Sequence, residues 1–120
     1  MKNEKNDLKE RSRDFALRVI KLYSALPSSA VAQVPGKQLL RSGTSVGANY
    51  REAYRARSKA EFIAKMGDCL KEPDESSYWF DLLASSEVIA TSRLSALIDE
   101  TNQLTAIFVT IIKNTKSGLS

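Results

Sequence analysis

Apolar residues recur along this chain at alternating steps of three and four, the spacing that lines one side of an α-helix. In the first run Leu8, Ser12, Phe15, Val19, Leu22 and Leu26 form a bundle-type seam, which Ala16, Ile20 and Tyr23 widen. Pro27 and the two serines after it end that helix. In the last run Leu94, Leu97, Thr101, Leu104, Phe108 and Ile111 repeat the pattern, broadened by Ile98, Ile107 and Ile112. Thr91 or Ser92 is expected to cap it, and Ser117–Gly118 to end it.

Two further helices lie between these. In residues 37–57, Leu39, Gly43, Val46, Tyr50 and Ala53 fall within about 80° of one another at 100° per residue. Lys37, Arg41, Thr44, Ala48, Arg51 and Arg55 occupy a similar arc on the opposite side, about 27 Å long. One face is small and apolar, and the other carries cations. Ser28 or Ser29 is placed to cap the start, with Pro35–Gly36 kinking the helix or delaying its regular part. Ser58-Lys-Ala-Glu61 is a capping box that opens the third helix ahead of Phe62 and Ile63. Phe62, Met66, Cys69, Leu70, Phe80, Leu83 and Val88 supply its apolar side. Pro73 interrupts the pattern, since it lacks an N–H and crowds the Cys69 carbonyl, so a kink is expected over residues 69–73.

No segment has strand periodicity. Short connections between long amphipathic helices favour an all-α, antiparallel up-down-up-down four-helix bundle. At 120 residues the chain makes one domain, residues 1–120, with flexible ends at about 1–7 and 117–120. The single cysteine, Cys69, excludes an internal disulfide framework and suits a reducing compartment. The charged N-terminus lacks the apolar core of a signal peptide, and no run approaches the roughly 18 apolar residues of a membrane span. A cytoplasmic protein is expected.

Charge changes the picture through its distribution more than through its net value of +4. Residues 1–36 carry a net +3, residues 37–71 a net +5 and residues 72–120 a net −4. A basic binding surface on an acidic body fits this pattern. So does neutralisation of basic by acidic segments within the fold or between subunits. Both readings stay open at this level.

The candidate chemistry is that of binding. Glycines in Ser42-Gly43-Thr44-Ser45-Val46-Gly47-Ala48 each cost a helix about 1 kcal/mol relative to alanine. Close approach of a neighbouring helix offsets that cost. A phosphate-binding loop would need the G-x-x-x-x-G-K-[ST] pattern after a strand, which is absent. Arginines at three of the four stripe positions suit phosphate geometry, so Lys37, Arg41, Arg51 and Arg55, extended by Lys59 and Lys65, are the candidate nucleic-acid contacts. Asn49, with Ser45 and Glu52 on the same flank, suits a polar contact to another helix or subunit, and Glu52 is placed to pair with Arg55 one turn on. Tyr78, Trp79 and Phe80 cannot all face one core. Phe80 fits the seam, and Tyr78 and Trp79 are candidate subunit contacts. The chain has no histidine, which removes the commonest general base and the usual metal ligands. No catalytic role, cofactor, metal, small-molecule substrate or membrane partner is inferred.

Three blocks together, LLRSGTSVGANYREA (39–53), SKAEFIAKM (58–66) and the KE…YWF-x-LL stretch (71–83), resemble the four-helix-bundle proteins encoded by intervening sequences within bacterial 23S ribosomal RNA genes. The resemblance implies a small antiparallel bundle and assembly into a homo-oligomeric ring, a homopentamer in described members. It also implies kinship with the accessory variability proteins of diversity-generating retroelements, whose basic surface is associated with nucleic acid. Pro73 departs from the pattern after the Lys71-Glu72 pair. The expected function is non-catalytic contact with structured RNA through the basic face of the second helix. The alternative is an interaction module whose arginines pair with acids such as Asp81, Glu87 or Asp99 across subunits.

Overall fold

The computed structural model describes residues 4–118, with side chains from residue 7 onward. Four helices follow one another: α1 (Glu4–Ser24), α2 (Ala30–Tyr54), α3 (Lys59–Ser85) and α4 (Ser95–Lys116). They pack as the expected antiparallel four-helix bundle, 47 × 28 × 19 Å along its principal axes. No strand occurs among the described residues. Of the ends expected to be flexible, residues 4–7 open α1 and Ser117–Gly118 close α4, while residues 1–3 and 119–120 lie outside the described residues.

The alternating seams form the core. Leu8, Phe15, Val19 and Leu22 of α1 are buried with Leu39, Val46 and Tyr50 of α2, Met66, Cys69, Phe80 and Leu83 of α3, and Leu97, Leu104 and Phe108 of α4. Ile20 is the exception: it is 43 % exposed, because it lies too far round α1 to reach the seam. Val88 lies beyond the end of α3 and packs on the core from the connection to α4.

Helix boundaries show where backbone chemistry prevails over pattern. Ser29 caps α2, its hydroxyl oxygen accepting from the Ala32 N–H at 3.4 Å. The helix then runs unbroken through Pro35, and α3 likewise runs unbroken through Pro73. Proline's ring presets a helical φ, so packing on both flanks carries the helix past the missing donor. At Ser58 the serine half of the capping box is formed, with the Glu61 N–H donating at 3.0 Å. The glutamate half is displaced by one residue, since Glu61 Oε2 accepts from the Arg57 N–H at 3.4 Å. Neither Thr91 nor Ser92 caps α4. Thr91–Arg93 instead form a 3₁₀ turn, and Leu94 stands at the N-cap without a side-chain bond. The tighter turn uses N–H groups of Arg93 and Leu94 that a capping serine would otherwise serve.

Two seams of α2 position everything that follows. Towards α1, a Cβ on Gly43 would lie 2.9 Å from Val19 Cγ2, and one on Gly47 would lie 3.3 Å from Ser12 Oγ. The predicted close packing is therefore realised against α1. Towards α3, Ser42 and Ser76 hydroxyls bond at 2.8 Å in the core. The α1–α4 seam is the lightest. The Arg11 fork clips it, donating to both Glu100 oxygens at 2.7 Å and to Gln103.

Candidate nucleic-acid interface

The close α1–α2 approach leaves a shallow groove of about 270 Å³ on the outer side of the two helices. Its walls carry Lys9 and Arg13 from α1 and Arg51 from α2, and its floor is Ala16, Thr44, Gly47 and Ala48. No acidic residue lines it. Small floor residues let the two helices approach, so three cations from two helices converge on one channel. Arg13 and Arg51 are both exposed. Lys9 also holds its Nζ 4.7 Å above the ring centre of Tyr54.

The cations predicted on α2 and α3 divide into two groups. Arg41 is drawn to α3, where it donates to Glu75 Oε2 at 2.6 Å. Lys65 lies 3.8 Å from Glu52. Glu52 therefore reaches across to α3, not to Arg55 as expected from helix spacing. Lys37, Arg51, Arg55 and Lys59 are exposed and stay clear of these pairs. Within the chain the partner of Arg41 is Glu75 of α3.

Lys9 and Arg13 were missed in the sequence because attention to a single helix cannot reveal a groove. A signal existed. Lys9, Arg13 and Ala16 each follow a seam residue (Leu8, Ser12 and Phe15) by one position, which turns them to one flank of α1.

Asn49 makes its polar contact to a neighbouring helix, donating to Glu72 Oε2 of α3 at 3.3 Å. The other oxygen, Glu72 Oε1, is buried with no partner among the described residues. Burial, then the nearby Glu75 carboxylate, holds the Glu72 carboxyl above its ordinary range. Cys69 is wholly buried, and burial pushes its thiol up to about 12, so it stays protonated and serves packing. Tyr78 is 57 % exposed and Trp79 half-buried, their rings edge-on at 4.9 Å. Phe80 is in the core, as its spacing required. Among the described residues no three His, Cys, Asp or Glu side chains are grouped to hold a metal ion, and no helix is long and apolar enough to cross a membrane.

Comparison with known proteins agrees with the resemblance carried by the three sequence blocks. The family model for 23S rRNA-intervening sequence proteins matches residues 4–110. Among solved structures, a protein of unknown function from the S23 ribosomal protein family of Bacteroides thetaiotaomicron is 39% identical, with a TM-score of 0.85. The match covers 92% of this chain and 99% of that one. No curated protein matches. From its bundle, its glycine-lined α1–α2 seam and the extent of these matches, the chain belongs to the 23S rRNA-intervening sequence protein family.

Proposed function

We propose that this protein is a non-catalytic, self-associating binding protein that contacts structured RNA through the α1–α2 groove. The observation that carries the reading is the convergence of Lys9, Arg13 and Arg51 on one channel whose lining includes no acidic residue. Phosphate oxygens would replace water around these groups, and release of condensed counterions would supply the affinity. Arginine forks fix the backbone in the groove, so binding positions the RNA without reading its bases. Lys37, Arg55 and Lys59, exposed on α2, just past its end and at the start of α3, are further candidate phosphate contacts. Repetition of the groove in an oligomer would raise a weak single contact to useful avidity.

Fluorescence anisotropy of a labelled ribosomal-RNA hairpin, titrated at several salt concentrations, tests the proposal. Affinity should fall steeply with salt, and Arg13→Glu with Arg51→Glu should abolish binding while circular dichroism stays helical. Full binding by the folded double variant would reject the groove.

A second reading is favoured by the Arg41–Glu75 and Lys65–Glu52 pairs and by the exposed Val31, Val34 and Tyr78. These features suit a protein-interaction module, with Asn49, Tyr78 and Trp79 near the contact. On that reading Tyr78→Ala lowers the mass seen by sedimentation, and the wild type ignores RNA even at low salt.

A further inference from the structure

We infer that a second cavity, at the bundle end where α2 passes to α3 and α4 finishes, receives an unpaired nucleobase. The inference rests on the groove reading above and specifies which RNA the groove serves. The cavity holds about 470 Å³, within the range of about 300–1,000 Å³ typical of small-molecule sites. Its walls include the rings of Tyr50, Tyr54 and Phe62 together with Ile111, and its polar groups include Asn114 and Lys59. No acidic side chain lines it.

Three features suit a flat heterocycle. The accessible ring is Tyr54, 38 % exposed, braced at 6.4 Å by Tyr50, which is itself buried and stacked 6.1 Å from Phe108 at 16°. Aromatic and aliphatic walls of this kind accept the faces of a base regardless of its identity. The Asn114 amide offers both a donor and an acceptor to a base edge. The cavity also adjoins the cationic groove: Tyr54 forms part of its wall, and Lys9, which lines the groove, sits over the Tyr54 ring. A backbone lying along Lys9, Arg13 and Arg51 is thereby led to an aromatic recess.

Bases within a helix are stacked and cannot enter such a recess, whereas a bulge, loop or strand end can present one. The substrate class is therefore RNA with an unpaired nucleotide flanking a backbone tract.

The test compares two labelled RNAs of equal length, one fully paired and one with a single bulged adenosine, by anisotropy at several salt concentrations. The bulged RNA should bind on the order of tenfold tighter to the wild-type protein. Asn114→Ala and Phe62→Ala should each remove that preference, whereas Arg13→Glu with Arg51→Glu should weaken both RNAs alike. Equal affinity for both RNAs with steep salt dependence would keep the groove and overturn the base pocket. If neither RNA binds at low salt, the groove reading fails, and titration with adenosine monophosphate decides the pocket separately. Chemical-shift changes at Tyr54 and Asn114 would support it, and their absence would overturn it.

Discussion

On its α1 side, helix α2 offers Gly43 and Gly47, and the neighbouring backbone comes close because nothing projects between them. On its α3 side the same helix offers Ser42, Asn49, Arg41 and Glu52, each engaged with a polar partner on α3. The first seam is steric, and beside it Arg13 and Arg51 stay exposed while Lys9 lies over the Tyr54 ring. The second is polar and uses its cations internally. Identical side-chain chemistry therefore has different value by location: Arg51 borders an open groove, while Arg41, ten residues earlier, is held by Glu75.

The steric seam should be the more sensitive. Gly43→Val would force a branched side chain into Val19, which is fully buried and itself branched. Overpacking of this kind costs about 1–3 kcal/mol, read as a lower urea midpoint with an unchanged slope. Gly67 is the control, since nothing lies within 4 Å of its would-be Cβ. Gly67→Ala should stabilise the protein by about 0.5–1 kcal/mol through helix propensity alone. Equal effects at the two glycines would remove the distinction between the seams.

The polar seam should respond more mildly and through coupling. Ser76→Ala removes one partner of a core hydroxyl pair and should cost about 1 kcal/mol. Ser42→Ala in the same chain should add less than its separate cost, because the bond the two hydroxyls share is already lost in either single variant. Strict additivity in a double-mutant cycle would mean that the pair contributes nothing as a pair.

The smallest effect concerns acid on the same seam. Glu72 binds its proton more tightly in the folded state than at its ordinary value of 4.5, so the native protein holds more proton than the unfolded chain just above that value. Stability from this group is full below that value and falls as pH rises through the raised one. Glu72→Gln keeps the shape and an acceptor for Asn49 while removing the charge. It should raise the urea midpoint at pH 7 and leave it unchanged at pH 4. A midpoint that drops at pH 7 would show that the carboxylate stabilises the seam.

Much of this was legible in the chain. Three-and-four spacing located four helices and nearly all of the core, because burial of an apolar stripe is a property of each helix alone. Ser58 and Ser29 were readable as caps for the same local reason. The paired state of Arg41 and Lys65 was not readable, since it depends on Glu75 and Glu52 facing them across the α2–α3 seam. Nor was the contribution of Lys9 and Arg13, which depends on how α1 lies against α2. Pro35 and Pro73 lie inside α2 and α3 without ending them, as the expectation of a kink short of a break allows. The start of α4 was misplaced because a 3₁₀ turn satisfies the same backbone groups as a capping hydroxyl.

The Arg11–Glu100 clip has a kinetic consequence. It joins residues separated by 89 positions, across the lightest seam of the bundle. Contacts between sequence neighbours, such as those of α2 with α3 across Arg55–Ser58, form at low loop-closure cost, whereas ends this distant are the costliest to bring together. On this argument the α1–α4 seam should close last during folding and open first in native breathing, which hydrogen exchange would show as the least protected amides facing that seam. The groove is carried by α1 with α2, and the aromatic recess by α2 with α3 and α4. Opening along that seam leaves each of them whole, and it leaves in place the Lys9–Tyr54 contact between them, which joins α1 to α2.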